Sequence, residues 1–153
     1  MTYCVGMRLT EGLVFMSDTR TNAGFDNFSS VRKMFNWTVD GERSIEADHV
    51  YVIAPDRSLE VHESHLVTGP LDAARVPCAT IDRLLRSLAT PHGDGCAVVL
   101  SGSGSDGAIG IGAIKEAGGV VLAQDPDEAA FDAMPRAAIA TGMVDLVLPV
   151  REL

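Results

Sequence analysis

The segment from Gly95 to Pro149 constrains the fold most strongly, because it reads strand, glycine-rich loop, helix, strand, helix, strand. Its first part, Gly95 to Ser101, is a short apolar run typical of a strand that is buried on both faces. Strands that alternate with helices favour right-handed crossovers and parallel pairing. The segment therefore predicts an α/β fold.

The N-terminal part of the chain has a different composition, rich in Thr, Ser, Asn and Phe. It predicts two short strands, Tyr3 to Leu9 and Gly12 to Ser17, which form an antiparallel hairpin. The predicted fold is a partial doubly wound, mostly parallel Rossmann-like sheet, with this hairpin attached at an edge or loose. The change of composition predicts two structural units, residues 1–37 and residues 38–153.

The middle of the chain predicts a further hairpin and a helix. The β-rich run His49 to Ala54 is stopped by Pro55 and is expected to pair with Ser58 to Val61. Thr80 is expected to cap a helix. The spacing puts Ile81, Leu84, Leu85 and Leu88 on one apolar face and turns Asp82, Arg83 and Arg86 toward water.

Composition excludes several classes of function. The chain has 12 basic and 21 acidic residues, so its net charge of -9 should repel nucleic acid. No apolar run approaches the roughly 18 residues of a membrane span, and the start lacks the features of a secretory signal. Three scattered cysteines without metal-type spacing indicate reduced thiols in a cytoplasmic protein without a metal site.

Asp106 is the first candidate for a functional residue, because it lies in the loop Gly102 to Gly107 that follows the buried strand. In open α/β sheets, ligands and chemistry collect in loops at the carboxyl ends of strands. Asp106 could be the acidic member of a hydrolytic triad, orienting a histidine that activates a serine. Alternatively, its carboxylate could cap the helix that follows the loop. Position in the sequence does not separate these two roles.

The same loop also satisfies the dinucleotide fingerprint G-x-G-x-x-G, with Asp125 about 20 residues further on. Against nucleotide binding, Asp106 would place a negative charge beside the pyrophosphate that a helix N-terminus attracts.

A nucleophile is not evident from the sequence. No serine lies in the G-x-S-x-G pattern that presents an exposed hydroxyl above a sheet. Ser101, Ser103 and Ser105 are typical turn formers in the Asp106 loop. The four histidines are interpreted as surface or core residues; they are His49, His62, His65 and His92.

From about Val39 to Pro149, seven stretches in order resemble the C-terminal part of a CheB-type protein-glutamate methylesterase domain, in the form found in CheB/CheR fusion proteins. The stretches are Asp48–Arg57, Ile81–Ala89, Val99–Ala108, Ile114–Gly119, Ala123–Pro126, Met134–Ile139 and Val144–Pro149.

The resemblance implies hydrolysis of glutamate methyl esters on chemoreceptors during chemotaxis adaptation, with water as second substrate and no cofactor. It makes Asp106 the triad aspartate and the backbone N–H near Ser103 an oxyanion donor, within a loop that contains Gly102, Gly104 and Gly107. Ser103 replaces the Met common there. The family's segments with the nucleophilic serine and the catalytic histidine have no counterpart in this chain, so we expect an inactive enzyme that could still bind methylated receptor helices.

Residues 1–34 resemble instead the start of a proteasome-related peptidase of the bacterial Anbu type, in Thr2–Leu9, Ser17–Gly24 and Val31–Met34. That resemblance implies a nucleophile at Thr2 after removal of Met1, with Asp18 and Lys33 beside it. A third possibility is a noncatalytic interaction module. Without the first strands of a doubly wound sheet, an apolar sheet edge is expected to be exposed and to favour self-association.

Overall fold

The computed structural model describes residues 4–9, 12–17, 35–46, 49–53, 57–70, 79–90 and 95–153. Residues 4–9, 12–17 and 35–37 are described by their backbone alone. Within these ranges the chain forms ten strands, three α-helices and a final 3₁₀ turn at Val150–Glu152. The strands are β1 (Cys4–Leu9), β2 (Gly12–Ser17), β3 (Phe35–Val39), β4 (Glu42–Ser44), β5 (His49–Ile53), β6 (Arg57–His62), β7 (His65–Pro70), β8 (Cys96–Val99), β9 (Val120–Gln124) and β10 (Leu146–Leu148). The helices are α1 (Thr80–Ala89), α2 (Gly110–Glu116) and α3 (Ala133–Ala140).

The C-terminal half forms the predicted parallel arrangement. β8 pairs in parallel with β9, and β9 pairs in parallel with β10. Helix α2 connects the first pair and helix α3 connects the second, as expected for parallel strands joined by crossovers. The prediction of an α/β fold with a Rossmann-like, mostly parallel sheet is confirmed.

The N-terminal hairpin lies in the middle of the sheet, so the expectation of an edge position is wrong. The seven-stranded sheet has the order β10-β9-β8-β1-β2-β5-β3. β1 pairs antiparallel with β2 and also with β8, where Val5 lies opposite Val99. β2 pairs in parallel with β5. The hairpin thereby supplies hydrogen-bond partners to both halves of the sheet, and the edge that we expected to be open beside β8 is paired.

A second, three-stranded sheet has the order β4-β7-β6. β6 and β7 form an antiparallel hairpin in which His62 lies opposite His65, and Glu63 at the turn has φ 53°. The predicted pairing of β5 with β6 is therefore wrong, because these strands belong to different sheets. β3 crosses the predicted boundary between residues 37 and 38 and pairs with β5; the division into two units stays a prediction.

Helix α1 packs its apolar face against α2 and β6. Its predicted inner residues Ile81, Leu84, Leu85 and Leu88 are all buried. The hydroxyl of Ser87 accepts the N–H of Val61 at 2.9 Å and so ties α1 to β6. Asp82, which was expected to face water, is only 8% exposed, and its burial is the main departure from the predicted helix.

Glycines end two of the helices. Gly118 has φ 91° directly after α2, and Gly142 has φ 73° after α3, the left-handed backbone that favours glycine at a helix end. Helix α2 begins at Gly110 and not at Gly107, because residues 107–109 form turns. None of the helices in the described ranges has the length and apolar character that crossing a membrane requires.

Candidate active site at the Asp106 loop

The Asp106 loop, residues 100–109, connects the carboxyl end of β8 to the start of α2. Gly104 and Gly107 have φ of 90° and 92°, which other residues adopt only with strain. A Cβ on Gly107 would also stand 2.8 Å from Cγ2 of Ile81. The absence of a side chain at residue 107 therefore lets the loop pack closely against the first turn of α1.

The carboxylate of Asp106 caps helix α1. Its Oδ2 accepts the backbone N–H of Ile81 at 3.0 Å, and its Oδ1 accepts that of Asp82 at 3.0 Å. Ala79 precedes α1 and offers no side-chain cap, so the expected cap by Thr80 is wrong. The capping alternative for Asp106 holds in a changed form, because the capped helix is the one before the loop and not the one after it.

Asp82 makes the reciprocal contact. Its Oδ1 accepts the backbone N–H of Ile109 at 3.1 Å and that of Gly110 at 2.6 Å, where α2 begins. Two helix N-termini thus meet, and each has free N–H groups bonded by a carboxylate from the other side. Sequence reasoning missed this residue. An aspartate in the first turn of a helix is a recognisable signal, but it points to the residue's own helix and not to α2.

Burial raises the pKa of Asp106 above its ordinary value, and the negative charge of Asp82 acts in the same direction. The N–H groups of Ile81, Asp82 and Gly107 oppose this effect without cancelling it. A carboxylate has about four lone-pair positions, so these three N–H groups leave capacity for one further donor. The arrangement can therefore hold the carboxylate in a fixed orientation while it orients a histidine ring.

The other side of the loop is held by the segment that precedes α3. The hydroxyl of Ser101 accepts the N–H of Phe131 at 3.0 Å, and the N–H of Gly102 donates to the carbonyl of Phe131 at 2.9 Å. The N–H of Ser101 donates to Oε1 of the buried Gln124 at 2.8 Å. Ser101 therefore connects the loop to β9 and to the segment before α3. Ser103 is half-buried within the same loop.

The described histidines make contacts within their own strands or turn. His62 Nε2 lies 3.5 Å from Glu60, and His65 Nδ1 lies 3.4 Å from the hydroxyl of Ser64. His49 stacks on Tyr51 at 6.2 Å between ring centroids. Within the described part of the chain, no serine or histidine side chain bonds to the Asp106 carboxylate.

Thr2, Asp18 and Lys33 lie outside the described residues, as does His92. The Asp125 carboxylate accepts the N–H of Asp127 at 2.9 Å in the turn after β9. No cluster of three or more His, Cys, Asp or Glu that could hold a metal ion exists among the residues with described positions.

Comparison with known proteins decides the family. The family model for the CheB methylesterase matches residues 16–153 of this chain. The chain belongs to the CheB methylesterase family. The matched range includes the Asp106 loop and the stretch with Asp18 and Lys33, and leaves out Thr2.

Two similar proteins match different shares of the chain. An uncharacterized 104.1 kDa protein in the hypE 3' region of Rhodobacter capsulatus is 45% identical over 117 residues, which are 76% of this chain and 12% of that protein. Protein-glutamate methylesterase/protein-glutamine glutaminase 6 of Anaeromyxobacter dehalogenans is 49% identical over 72 residues, 46% of this chain and 21% of the relative. The chain therefore aligns with only a minor part of these relatives.

A solved structure supports the CheB fold. The crystal structure of the Thermotoga maritima CheB methylesterase catalytic domain superposes with a TM-score of 0.62 and 25% sequence identity. The superposition covers 73% of this chain and 62% of the Thermotoga chain.

Proposed function

We propose that this chain carries the aspartate side of a CheB-type methylesterase site and does not hydrolyse esters by itself. The reaction of that site is hydrolysis of glutamate methyl esters on chemoreceptors in the cytoplasm: water replaces methoxide on the ester carbonyl, and a glutamate carboxylate, methanol and a proton result. In a triad, the aspartate holds a histidine in the tautomer that removes the serine proton.

The proposal rests on the position and the hydrogen bonds of the Asp106 carboxylate. It is fixed by two N–H groups of α1 at the carboxyl end of β8, where functional groups of open α/β sheets collect. No described serine or histidine side chain bonds to it. An aspartate contributes to ester hydrolysis only through its nucleophile and base, so the expected activity of these residues alone is negligible.

The catalytic half of the proposal is tested by methanol release from methylated receptor fragments. We expect the full chain to release no more methanol than buffer, whereas the Thermotoga maritima CheB catalytic domain in the same assay serves as the active control. The Asp106→Asn variant is expected to behave as the parent chain does. Release by the parent chain that is abolished in Asp106→Asn would overturn the claim of inactivity.

The partner proposed for this chain is the methylated cytoplasmic helix of a chemoreceptor. A ¹⁵N-labelled chain titrated with a methylated receptor peptide is expected to show shift changes in residues 101–109, which form the loop around Asp106. The same peptide with free glutamates is the control, and it should bind more weakly because the chain carries a net charge of -9. Shift changes that avoid this loop would assign binding to another surface and support a noncatalytic interaction module instead.

A further inference from the structure

We propose that Asp82 is a positioning residue for Asp106: it holds the start of α2 against α1 and so fixes the loop from which the Asp106 carboxylate projects. The proposal rests on the proposed function only in naming Asp106 as the carboxylate of the site. It concerns the orientation of that carboxylate, which can be measured without any ester hydrolysis.

Four hydrogen bonds connect the start of α1 with the Asp106 loop and the start of α2. Asp82 bonds Ile109, the last residue of the Asp106 loop, and Gly110, the first residue of α2, while Asp106 bonds Ile81 and Asp82 in the first turn of α1. Residues 107–108 are therefore held to α1 on both sides. If the Asp82 contact is lost, residues 107–110 are released, and with them the backbone that carries Asp106.

The chain approaches α1 closely at two glycines. A Cβ on Gly110 would stand 2.8 Å from Cα of Asp82, and one on Gly107 would stand 2.8 Å from Cγ2 of Ile81. Residues 107 and 110 are both glycines, and the lack of a side chain at each lets α1 lie close to the backbone there. Residue Asp82 is only 8% exposed. Its carboxylate therefore directly faces the N–H groups at the start of α2.

The two carboxylates differ in how many of their oxygens accept hydrogen bonds. Asp82 accepts both N–H groups of α2 through the single atom Oδ1. Asp106 uses both of its oxygens, Oδ2 for Ile81 and Oδ1 for Asp82. Asparagine has one acceptor oxygen, so Asn can replace Asp82 without loss of either bond, but it cannot replace Asp106 in the same way.

The test measures amide hydrogen exchange in the full chain for Asp82→Ala and Asp82→Asn. In Asp82→Ala we expect the amides of Ile109 and Gly110 to exchange about two- to tenfold faster, as the loss of one net hydrogen bond allows. The amide of Ile81 is bonded by Asp106 and not by Asp82, and it should also exchange faster if Asp106 is released. Asp82→Asn should restore all three amides.

Two controls separate positioning from general destabilisation. The amide of Leu85, in the body of α1, should keep its exchange rate in Asp82→Ala. Asp127→Ala removes an exposed carboxylate that contacts Arg136, and it should leave the Ile81 amide unchanged. If Ile81 keeps its protection in Asp82→Ala while Ile109 and Gly110 lose theirs, Asp106 holds its place without Asp82 and the proposal fails.

A second measurement applies even if Asp82→Ala does not fold. The carboxyl carbon of Asp106 can be titrated by ¹³C NMR in the parent chain and in Asp82→Asn. We expect Asp106 to titrate at a lower pH in Asp82→Asn, because the neighbouring negative charge is gone while the hydrogen bonds remain. An unchanged Asp106 titration would mean that the two carboxylates do not lie beside each other, and it would contradict the contacts on which the proposal rests, whatever the methanol assay reports.

Discussion

Gly110 lies directly against Asp82. A Cβ built on Gly110 would stand 2.8 Å from Cα of Asp82 and 2.8 Å from Cβ of Leu85. The atoms on the α1 side are backbone or the root of a buried side chain, so they cannot move aside without displacing the helix. The junction of α1 and α2, on which the geometry of Asp106 depends, therefore requires glycine at residue 110.

Substitution of this glycine tests the close approach. We expect Gly110→Ala to lower the free energy of unfolding by about 1–3 kcal/mol, the usual cost of overpacking a core. Gly112→Ala lies in the same helix, with no atom within 4 Å of its added Cβ, and should raise the free energy by about 0.5–1 kcal/mol through helix propensity. Urea unfolding of the two variants measures both, and equal effects would contradict the packing argument.

The raised pKa of Asp106 predicts a pH dependence of stability. Because the folded pKa lies above the ordinary value of 3.8, the folded chain binds more protons than the unfolded chain in this window. The stability from Asp106 is then fully present below the unfolded pKa and is lost as the pH rises through the folded pKa. In Asp106→Asn this titration is absent, so the stability of the parent relative to the variant should fall as the pH rises from below 3.8 through the raised folded pKa of Asp106.

Urea unfolding of the parent and Asp106→Asn over that pH range provides the measurement. Groups with lowered pKa, such as Asp132 and Asp145, act in the opposite direction but are common to both proteins and cancel in the difference. A difference that grows as the pH rises would mean that the folded pKa of Asp106 lies below its unfolded value.

The contacts of the Asp145 carboxylate predict that it stabilises the folded chain. Its carboxylate accepts Nζ of Lys115 at 2.8 and 2.9 Å and the N–H of Val121 at 2.8 Å, and the hydrogen bond from Lys115 lowers its pKa. The contribution should be present above the unfolded pKa and lost as the pH falls through the folded pKa.

The matched control for Asp145 is Asp132, the residue before α3, whose exposed carboxylate pairs with Arg136 in that helix. At neutral pH, Asp145→Ala should lower the Tm more than Asp132→Ala does, because Asp145 connects α2 to β9 whereas an exposed i,i+4 pair contributes little. Calorimetry of both variants decides this, and equal Tm values would remove the claim that Asp145 joins the two elements.

The Thr2 alternative predicts a covalent adduct with an epoxyketone probe. We expect none, because about 34 residues of a two-sheet peptidase plan cannot hold a threonine site to the tolerance that catalysis needs. Intact-mass analysis after incubation is the measurement, with Thr2→Ala as the control. A mass increase in the parent chain that Thr2→Ala lacks would establish the threonine hydrolase.

The sequence predicted well those parts of the fold that are encoded locally. The succession of β8, α2, β9, α3 and β10 follows from apolar runs and from glycines at the turns, and the inner face of α1 follows from helical spacing. The pairing of β5 with β6 was wrong, because strands of similar composition do not specify which neighbour they pair with.

The candidate site divides in the same way. The loop and its single carboxylate were evident from the motif, whereas the partners of that carboxylate were not. Free N–H groups at a helix start donate to whichever carboxylate reaches them, and α1 begins 26 residues before Asp106 in the chain. Asp82 was therefore interpreted as a surface residue, although it is buried against α2.

The amino-acid sequence by itself determined the α/β class, the order of the C-terminal elements and the family, because each depends on residues close together in the chain or on an order of motifs that the chain shares with the family. Only the tertiary structure decided that β1 fills the position beside β8 and that Asp82 and Asp106 each cap the other's helix. These contacts join segments far apart in sequence, and their energy depends on distances that no local pattern of residues contains.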